Sequence, residues 1–313
     1  MPLYETFSYN DNLPLKIYRQ LPEKLKIVGN RDPEILLILR LLSGNVELIH
    51  NYTDKKIKTR MNYFSSCFTK FSNWKKEFPL YFSEDTTADD LASFIDNTRY
   101  INRKFYSVVL AELSQFVLHT NKKSHTSAFI YVYRVLEKIS YAFPLIYTSK
   151  TQDFQKSFTK LKDLMVGDNE KKELGFFKTF IEMLYKDDSI SDTSIDIMFS
   201  SSDSEVKRQM FAEVKKVTPP NAIHGDTDEP DMLSIKYCEM GRFIISVRNR
   251  FFHNLNGGAT NIESEKVVDS DELFSFINPV AMYWIAMVFL QIISFSLSEY
   301  QNHRRAATLS QDN

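Results

Sequence analysis

The chain has 313 residues, 43% of them hydrophobic and 25% charged, with only 8 Gly and 10 Pro. That profile excludes a disordered or fibrous chain and suffices for one large or two small cored domains. A formal net charge of −1 excludes a global basic field for coating duplex nucleic acid, so any nucleic-acid contact falls to a local patch.

Residues 1–30 are aromatic and proline-punctuated without a clear period. The N-terminus lacks a basic start and an apolar run, so no secretory signal is expected. A helix is expected from "DPEILLILRLL", with Asp32 as cap, Pro33 at the first helical position and Glu34 at the positive end. A second helix is expected through "RMNYFSSCFTKFSNWKKEF", ended by Pro79 and "SEDTTADD". One long helix follows from about Ala88 to His119, with an apolar stripe of Leu91, Ile95, Phe105, Val109, Leu113 and Phe116. After the turn "TNKKSHTS", the segment "AFIYVYRVLEKISYAF" places Phe129, Val132, Leu136, Ile139 and Phe143 on one helical face and Arg134, Glu137, Lys138 and Tyr141 on another.

Two shorter amphipathic helices are expected between about 150 and 186, and a short one from Ser204 to Val217. From Asp187 to Asp231 there are 11 acidic and 4 basic residues, which favours a solvated, irregular insertion. A clean helix then resumes in "MLSIKYCEMGRFIISVRNRFFH", where Leu233, Tyr237, Met240, Ile244, Val247 and Phe251 recur at gaps of four and three, and Gly257 and Gly258 stop it. Asp269 and Glu272 have capping-box spacing before the last helix, which runs to about Tyr300 ahead of a frayed tail. Within it, Pro279 to Ser298 carries no charge and is long enough to span a bilayer. The apolar core helix of a bundle has the same look, and Gln291, Ser294 and Ser296 favour that reading. Cys67 and Cys238 sit in apolar patterns without metal-ligand spacing and read as buried free thiols in a reducing, cytoplasmic compartment. The expected fold class is therefore all-α, with no strand. Residues 1–87 form an N-terminal helical region, 88–300 a helical domain with an acidic insertion at about 150–231, and 301–313 a flexible tail.

The candidate chemistry lies at the end of the apolar helix, in Arg248-Asn249-Arg250-Phe251-Phe252-His253. Arginine offers a planar fork of donors for phosphate oxygens. Histidine can take or give a proton near neutral pH. With an asparagine to orient either, the set suits metal-independent cleavage of an RNA phosphodiester. His253 is four residues after Asn249 and shares its helical face, whereas Arg248 and His253 stand about 140° apart on an ideal helix. The helix must unwind near His253, or the two must serve a site shared with another element or chain. A structural reading stands beside this: Arg and His near a helix C-terminus also complement its dipole and cap its carbonyls. His119, His125 and His224 have no ligand spacing and read as surface residues.

The R-[polar]-x3-H pattern, followed by a loop and an apolar closing helix, resembles the HEPN superfamily of helical ribonucleases. "FIYVYRVLEKISY", with Tyr133, Arg134, Leu136 and Glu137, is similar to the helix that packs beside that motif. The likeness covers about residues 88–300, with 150–231 as an atypical enlargement. It implies a bundle of four or more helices and a metal-independent endoribonuclease without a cofactor. It also implies a homodimer whose two motifs face each other, and a role in prokaryotic toxin–antitoxin, abortive-infection or CRISPR defence. Carried onto this chain, Arg248 would bind the scissile phosphate, His253 would be general acid or base, and Asn249 would orient His253 or substrate. Glu137 would hold Arg248, and Arg134 would add a phosphate contact. Arg250 is either an RNA contact or a solvated charge, and Arg134 with Glu137 equally suits an ordinary i,i+3 ion pair. The implied partners are RNA (transfer or messenger), a second copy, and an inhibitory or sensor protein; residues 1–87 would sense a trigger, contact a partner or form part of the dimer interface. A non-catalytic scaffold with the same bundle is the competing reading, and a membrane anchor through 279–298 is a third.

Overall fold

The computed structural model describes residues 5–29, 31–149, 155, 158–159, 162, 173–185, 188–201, 203–225, 231–253 and 260–311. They form two compact units, Met1–Asn121 with Ile285–Asn313, and Lys122–Trp284. The all-α expectation is corrected in both units, because each contains a small antiparallel sheet.

In the first unit, the segment expected to be helical carries β1 (Phe7–Asp11), β2 (Val46–His50) and β3 (Lys55–Lys58) in the order β1-β2-β3. Phe7 pairs with His50, Asp11 with Val46 and Glu47 with Lys58. Side chains alternate across this sheet, so Phe7, Leu48 and Ile57 share one buried cluster with Leu118. The outer edge strand, "KKIK", keeps lysines toward water, a composition that discourages edge pairing. Among the helices, α1 is Leu15–Tyr18, α2 Glu34–Leu42, α3 Ala88–Thr98 and α4 Arg103–Asn121. α2 is buried from Ile35 to Leu42 and packs on α4. Its start differs from expectation: Pro33 is the cap residue and no side chain caps it. Both Asp32 carboxylate oxygens accept instead from the amides of Val28 and Gly29. Arg40, wholly buried on α2, pairs with Asp11 and lies 4.9 Å from the Trp74 ring. Burial pulls its pKa down to about 10 despite that pairing.

The helix expected over 60–78 is absent, since the chain there is pinned to the α2–β2 turn. Tyr63 N–H donates to Leu42 O (2.7 Å), Trp74 Nε1 donates to Ser43 Oγ (3.2 Å), and Asn45 Nδ2 donates to Phe71 O. Trp74 stacks on Phe78 at 3.8 Å. Gly44, at φ +75°, lets this strap cross closely: a Cβ there would lie 2.8 Å from Arg60 C and Met61 O. The long helix expected from 88 to 119 is two helices, α3 and α4, divided at Asn102, which adopts φ +54°. α3 begins with a capping box in which Thr87 Oγ1 accepts from Asp90 N and Asp90 Oδ2 accepts from Thr87 N.

In the second unit lie α5 (His125–Ser149), α6 (Glu173–Leu184), β4 (Ser194–Met198), α7 (Ser204–Val217), β5 (Met232–Lys236) and α8 (Met240–Phe252). α9 (Ser270–Gln311) contributes its residues through Trp284. The insertion read as irregular thus holds β4, paired antiparallel with β5 through Ile195 with Ile235 and Ile197 with Leu233. "MLSIK" is therefore strand, not helix: Leu233 and Ile235 are buried on alternate positions. α7 matches its expected span and is capped by Asp203. The helix expected before α6 falls mainly outside the described residues, as do Gly257 and Gly258. α9 is capped by Asp269, whose Oδ1 accepts from Asp271 N (2.8 Å) and Glu272 N (3.2 Å). It continues past Tyr300 to Gln311. By length and composition α9 could cross a membrane, and 72% of its most apolar window is buried within the protein. Cys67 is exposed in the strap and Cys238 half-buried in the single turn before α8, so neither is the buried helical thiol expected.

Candidate active site

α8 forms because its apolar residues recur at helical spacing: Met240, Phe243, Ile244 and Val247 are buried. Gly241 permits close approach to α9, where a Cβ would stand 3.0 Å from the Trp284 ring. Contacts with α5, α6, α7 and β5 hold the helix on its other sides, and Ser246 Oγ donates to Val217 O at 2.5 Å.

The helix ends at Phe252, one residue before His253. Two observations account for the stop. In a continuing helix the Arg250 carbonyl would accept from residue 254; here it accepts from Ile262 N at 3.0 Å. Phe251 and Phe252 are drawn into an aromatic cluster with Phe129 of α5 and Phe274 of α9, with ring centroids 4.9 Å apart for Phe251–Phe274 and 4.6 Å for Phe129–Phe274. His253 follows in extended backbone, φ −123° and ψ 115°, with an exposed side chain. His253 is thus the C-cap residue: its Cα still follows the helix, while its φ swings the side chain away from the helical direction.

Arg248 is half-buried, and its contacts are specific. Nη1 donates to Asn249 Oδ1 at 2.9 Å, and the guanidinium lies 4.6 Å from the centroid of the Tyr133 ring on α5. That distance is within cation–π range. Asn249 thus orients the arginine; among the described residues no hydrogen bond joins it to His253. Glu137 and Arg134 are exposed on α5, and Arg134 lies 5.9 Å from the Tyr131 ring. No ion pair joins Glu137 to Arg248 among the described residues, and the neighbour that holds Arg248 from α5 is Tyr133. Arg250 is half-buried and its Nη1 has no hydrogen-bond partner among the described residues, so it is not simply a solvated charge.

The arrangement puts a fixed, stacked guanidinium upstream of an exposed imidazole that the helix has released. A guanidinium of this kind can bind a phosphate, and an exposed imidazole can exchange a proton. Among the described residues, no group of three His, Cys, Asp or Glu side chains is placed to hold a metal ion. His119 and His125 are half-buried rather than on the surface; burial lowers the His125 pKa, against the pull of Asp271 and Asp269. His224 is exposed. From the sequence Tyr133 reads as part of the helix resembling the one beside the motif, and as a core or base-stacking aromatic, not as the support of Arg248. Its position next to Arg134 in the apolar helix gave no signal that it underlies Arg248. No family model, curated protein or solved structure matches the chain.

Proposed function

We propose that this chain is a metal-independent endoribonuclease of the HEPN type. One observation carries the reading: α8 stops at Phe252, with Arg248 held by Tyr133 and Asn249 and His253 exposed in extended backbone. In the proposed reaction the RNA 2′-oxygen loses its proton and attacks the adjacent phosphorus. Arg248 meets the extra charge on the phosphorane oxygens. The bond to the 5′-oxygen breaks and that oxygen takes up a proton, leaving a 2′,3′-cyclic phosphate and a 5′-hydroxyl. His253 serves one of the two proton transfers, and the motif of a second copy supplies the other. By the same resemblance, the cellular setting is the cytoplasmic effector of a prokaryotic anti-phage or toxin–antitoxin system.

The competing scaffold reading has its own support, because both contacts of Arg248 are internal to the protein. The test is incubation of wild type, Arg248→Ala and His253→Ala with total RNA and transfer RNA in EDTA, with the fragment ends analysed. Defined fragments ending in cyclic phosphate from wild type alone support the nuclease. Equal cleavage by His253→Ala sinks it, and so does an absence of cleavage combined with no His253-dependent growth arrest on induced expression.

A further inference from the structure

The first unit contains two adjoining cavities that the nuclease reading leaves unused. The smaller, about 210 Å³, is lined by Arg31, Arg99 and Arg103 together with Asp32 and Glu34. The larger, about 290 Å³, shares Arg31, Asp32, Glu34 and Arg103 and continues along the start of β1 to Leu37 and Leu110. We propose that this pair is a binding site for a mononucleotide, with the phosphate at the arginine end and the sugar and base in the larger cavity.

The arginine end is built rather than incidental. Asp32 closes the 28–32 loop by accepting from Val28 N (3.2 Å) and Gly29 N (3.0 Å). Gly29 at φ +95° and Arg31 at φ +62° turn the chain within it. A left-handed backbone is unfavourable for arginine, so the loop holds that residue in place against its own preference. Arg99 Nη2 donates to the Arg31 carbonyl at 2.9 Å, and Arg103 Nε donates to Glu34 Oε1 at 2.8 Å. Arg99 Nη1 also lies 3.5 Å from Asp96 Oδ1, so these bonds fix two guanidinium groups, with the Arg103 Nη donors the ones left toward the cavity. The Arg31 guanidinium has no hydrogen bond or ion pair among the described residues. Two held guanidinium groups and the exposed Arg31 side chain beside them match the oxygens of a phosphate monoester. The uncapped start of α2 adds potential of the same sign.

The larger cavity is what points beyond a bare anion. Its carboxylates are Glu5, Asp32 and Glu34; Asp32 accepts from the 28–29 amides and Glu34 from Arg103, which leaves Glu5 placed for a ribose diol. β1 is an edge strand, so its outer row of amides and carbonyls has no strand partner and can pair with the edge of a base. Leu37 and Leu110 are buried and give the planar ring an apolar floor. Together the two cavities fall in the size range of small-molecule sites.

The test is titration calorimetry on the full chain with the four ribonucleoside monophosphates, their diphosphates and inorganic phosphate. At least one nucleotide is expected to bind one per chain, at least about tenfold more tightly than inorganic phosphate. Arg31→Gly keeps the left-handed backbone and removes only the guanidinium. It should weaken that binding by about tenfold or more, and Arg99→Gln should weaken it too. His253→Ala should leave it unchanged, which separates this site from the nuclease site. The proposal is overturned by no nucleotide binding at about 1 mM, by phosphate binding as tightly as nucleotides, or by binding that Arg31→Gly leaves intact. Binding lost in His253→Ala would equally overturn it, placing the nucleotide at the end of α8.

Discussion

Replacing Tyr133 with leucine tests whether Arg248 is held by an aromatic face. The guanidinium carbon lies 4.6 Å from the ring centroid, and Tyr133 is only 7% exposed. Cation–π pairs contribute about 0.5–1 kcal/mol when exposed and about 2 kcal/mol when desolvated. With a buried ring and a half-buried arginine, a coupling of about 1 kcal/mol is expected. Tyr133→Leu alone also removes packed volume, so the coupling must come from a cycle of Tyr133→Leu, Arg248→Met and the double variant in urea denaturation. A coupling within about 0.3 kcal/mol of zero would refute the stacking argument. The same stack has a kinetic consequence under the nuclease reading. A guanidinium displaced by about 1 Å from a phosphorane costs on the order of 100-fold in rate. Tyr133→Leu should therefore lower kcat by about that factor with little change in KM, while Tyr133→Phe, which retains the ring, should stay close to wild type. Equal kcat for the leucine and phenylalanine variants would show that Tyr133 does not position Arg248 for chemistry.

Gly44→Ala should cost more than about 2 kcal/mol. The left-handed backbone alone costs a non-glycine residue about 1–2 kcal/mol, and the new Cβ would meet the Arg60–Met61 backbone at 2.8 Å, with no flexible side chain to yield. A thermal melt within about 1 °C of wild type would contradict this. Alkaline titration gives a second check. Burial raises Tyr9 to about 12 and pushes Tyr63, Tyr106, Tyr185 and Tyr237 well above their ordinary value. Unfolded tyrosine releases its proton near about 10, so above that pH the folded state binds more protons and stability falls by about 1.4 kcal/mol per pH unit for each such tyrosine. The contribution is complete below pH 10 and is lost as pH rises through the folded-state values. Arg40 works in the opposite direction above pH 10, because burial has lowered its pKa to about 10 while the unfolded chain still holds that proton, and it offsets one of the tyrosines. Urea midpoints that stay level from pH 9 to about 12 would show that these hydroxyls are not buried as described.

Much of the helical part of the fold is legible in the sequence where one face decides the matter. Phe129, Val132, Leu136, Ile139 and Phe143 are all buried on α5, and α7 is bounded by an aspartate cap that local chemistry announces. The strands are not legible, and β5 shows why. Leu233 and Tyr237 are four apart, a gap that suits a helical turn and a strand equally well. What decides the matter is Ile235 facing Ile195 across the sheet, a partner that no local window contains. The 60–78 strap fails for a related reason. Its aromatic spacing is compatible with a helix, but Trp74 and Phe78 are buried by long-range packing on Arg40 and each other. Two of its backbone amides, those of Tyr63 and Phe71, donate to the α2–β2 turn, and Asn62 N donates forward to Phe68 O, which no helix allows.

The candidate site divides along the same line. Arg248, Asn249 and His253 are visible as a motif because the chemistry of adjacent side chains is a local property. Their geometry is not local, since it depends on where α8 stops. Helical arithmetic continued past Phe252 gives the histidine a helical backbone. The structure ends the helix there with one hydrogen bond, from Ile262 N to the Arg250 carbonyl, and with the pull of Phe251 and Phe252 into the cluster around Phe274. Ile262 lies ten residues past the helix end, and Phe129 and Phe274 belong to two other helices, so no reading of 240–253 alone could locate the stop. The choice of support for Arg248 follows the same logic. Glu137 has the complementary charge, but it stands exposed on α5, where water competes for it. Tyr133 is buried, and its ring meets the guanidinium away from bulk solvent. Of the two neighbours the aromatic face is thus the stronger anchor, and it leaves the arginine's in-plane donors available to a phosphate, which a carboxylate partner would have occupied.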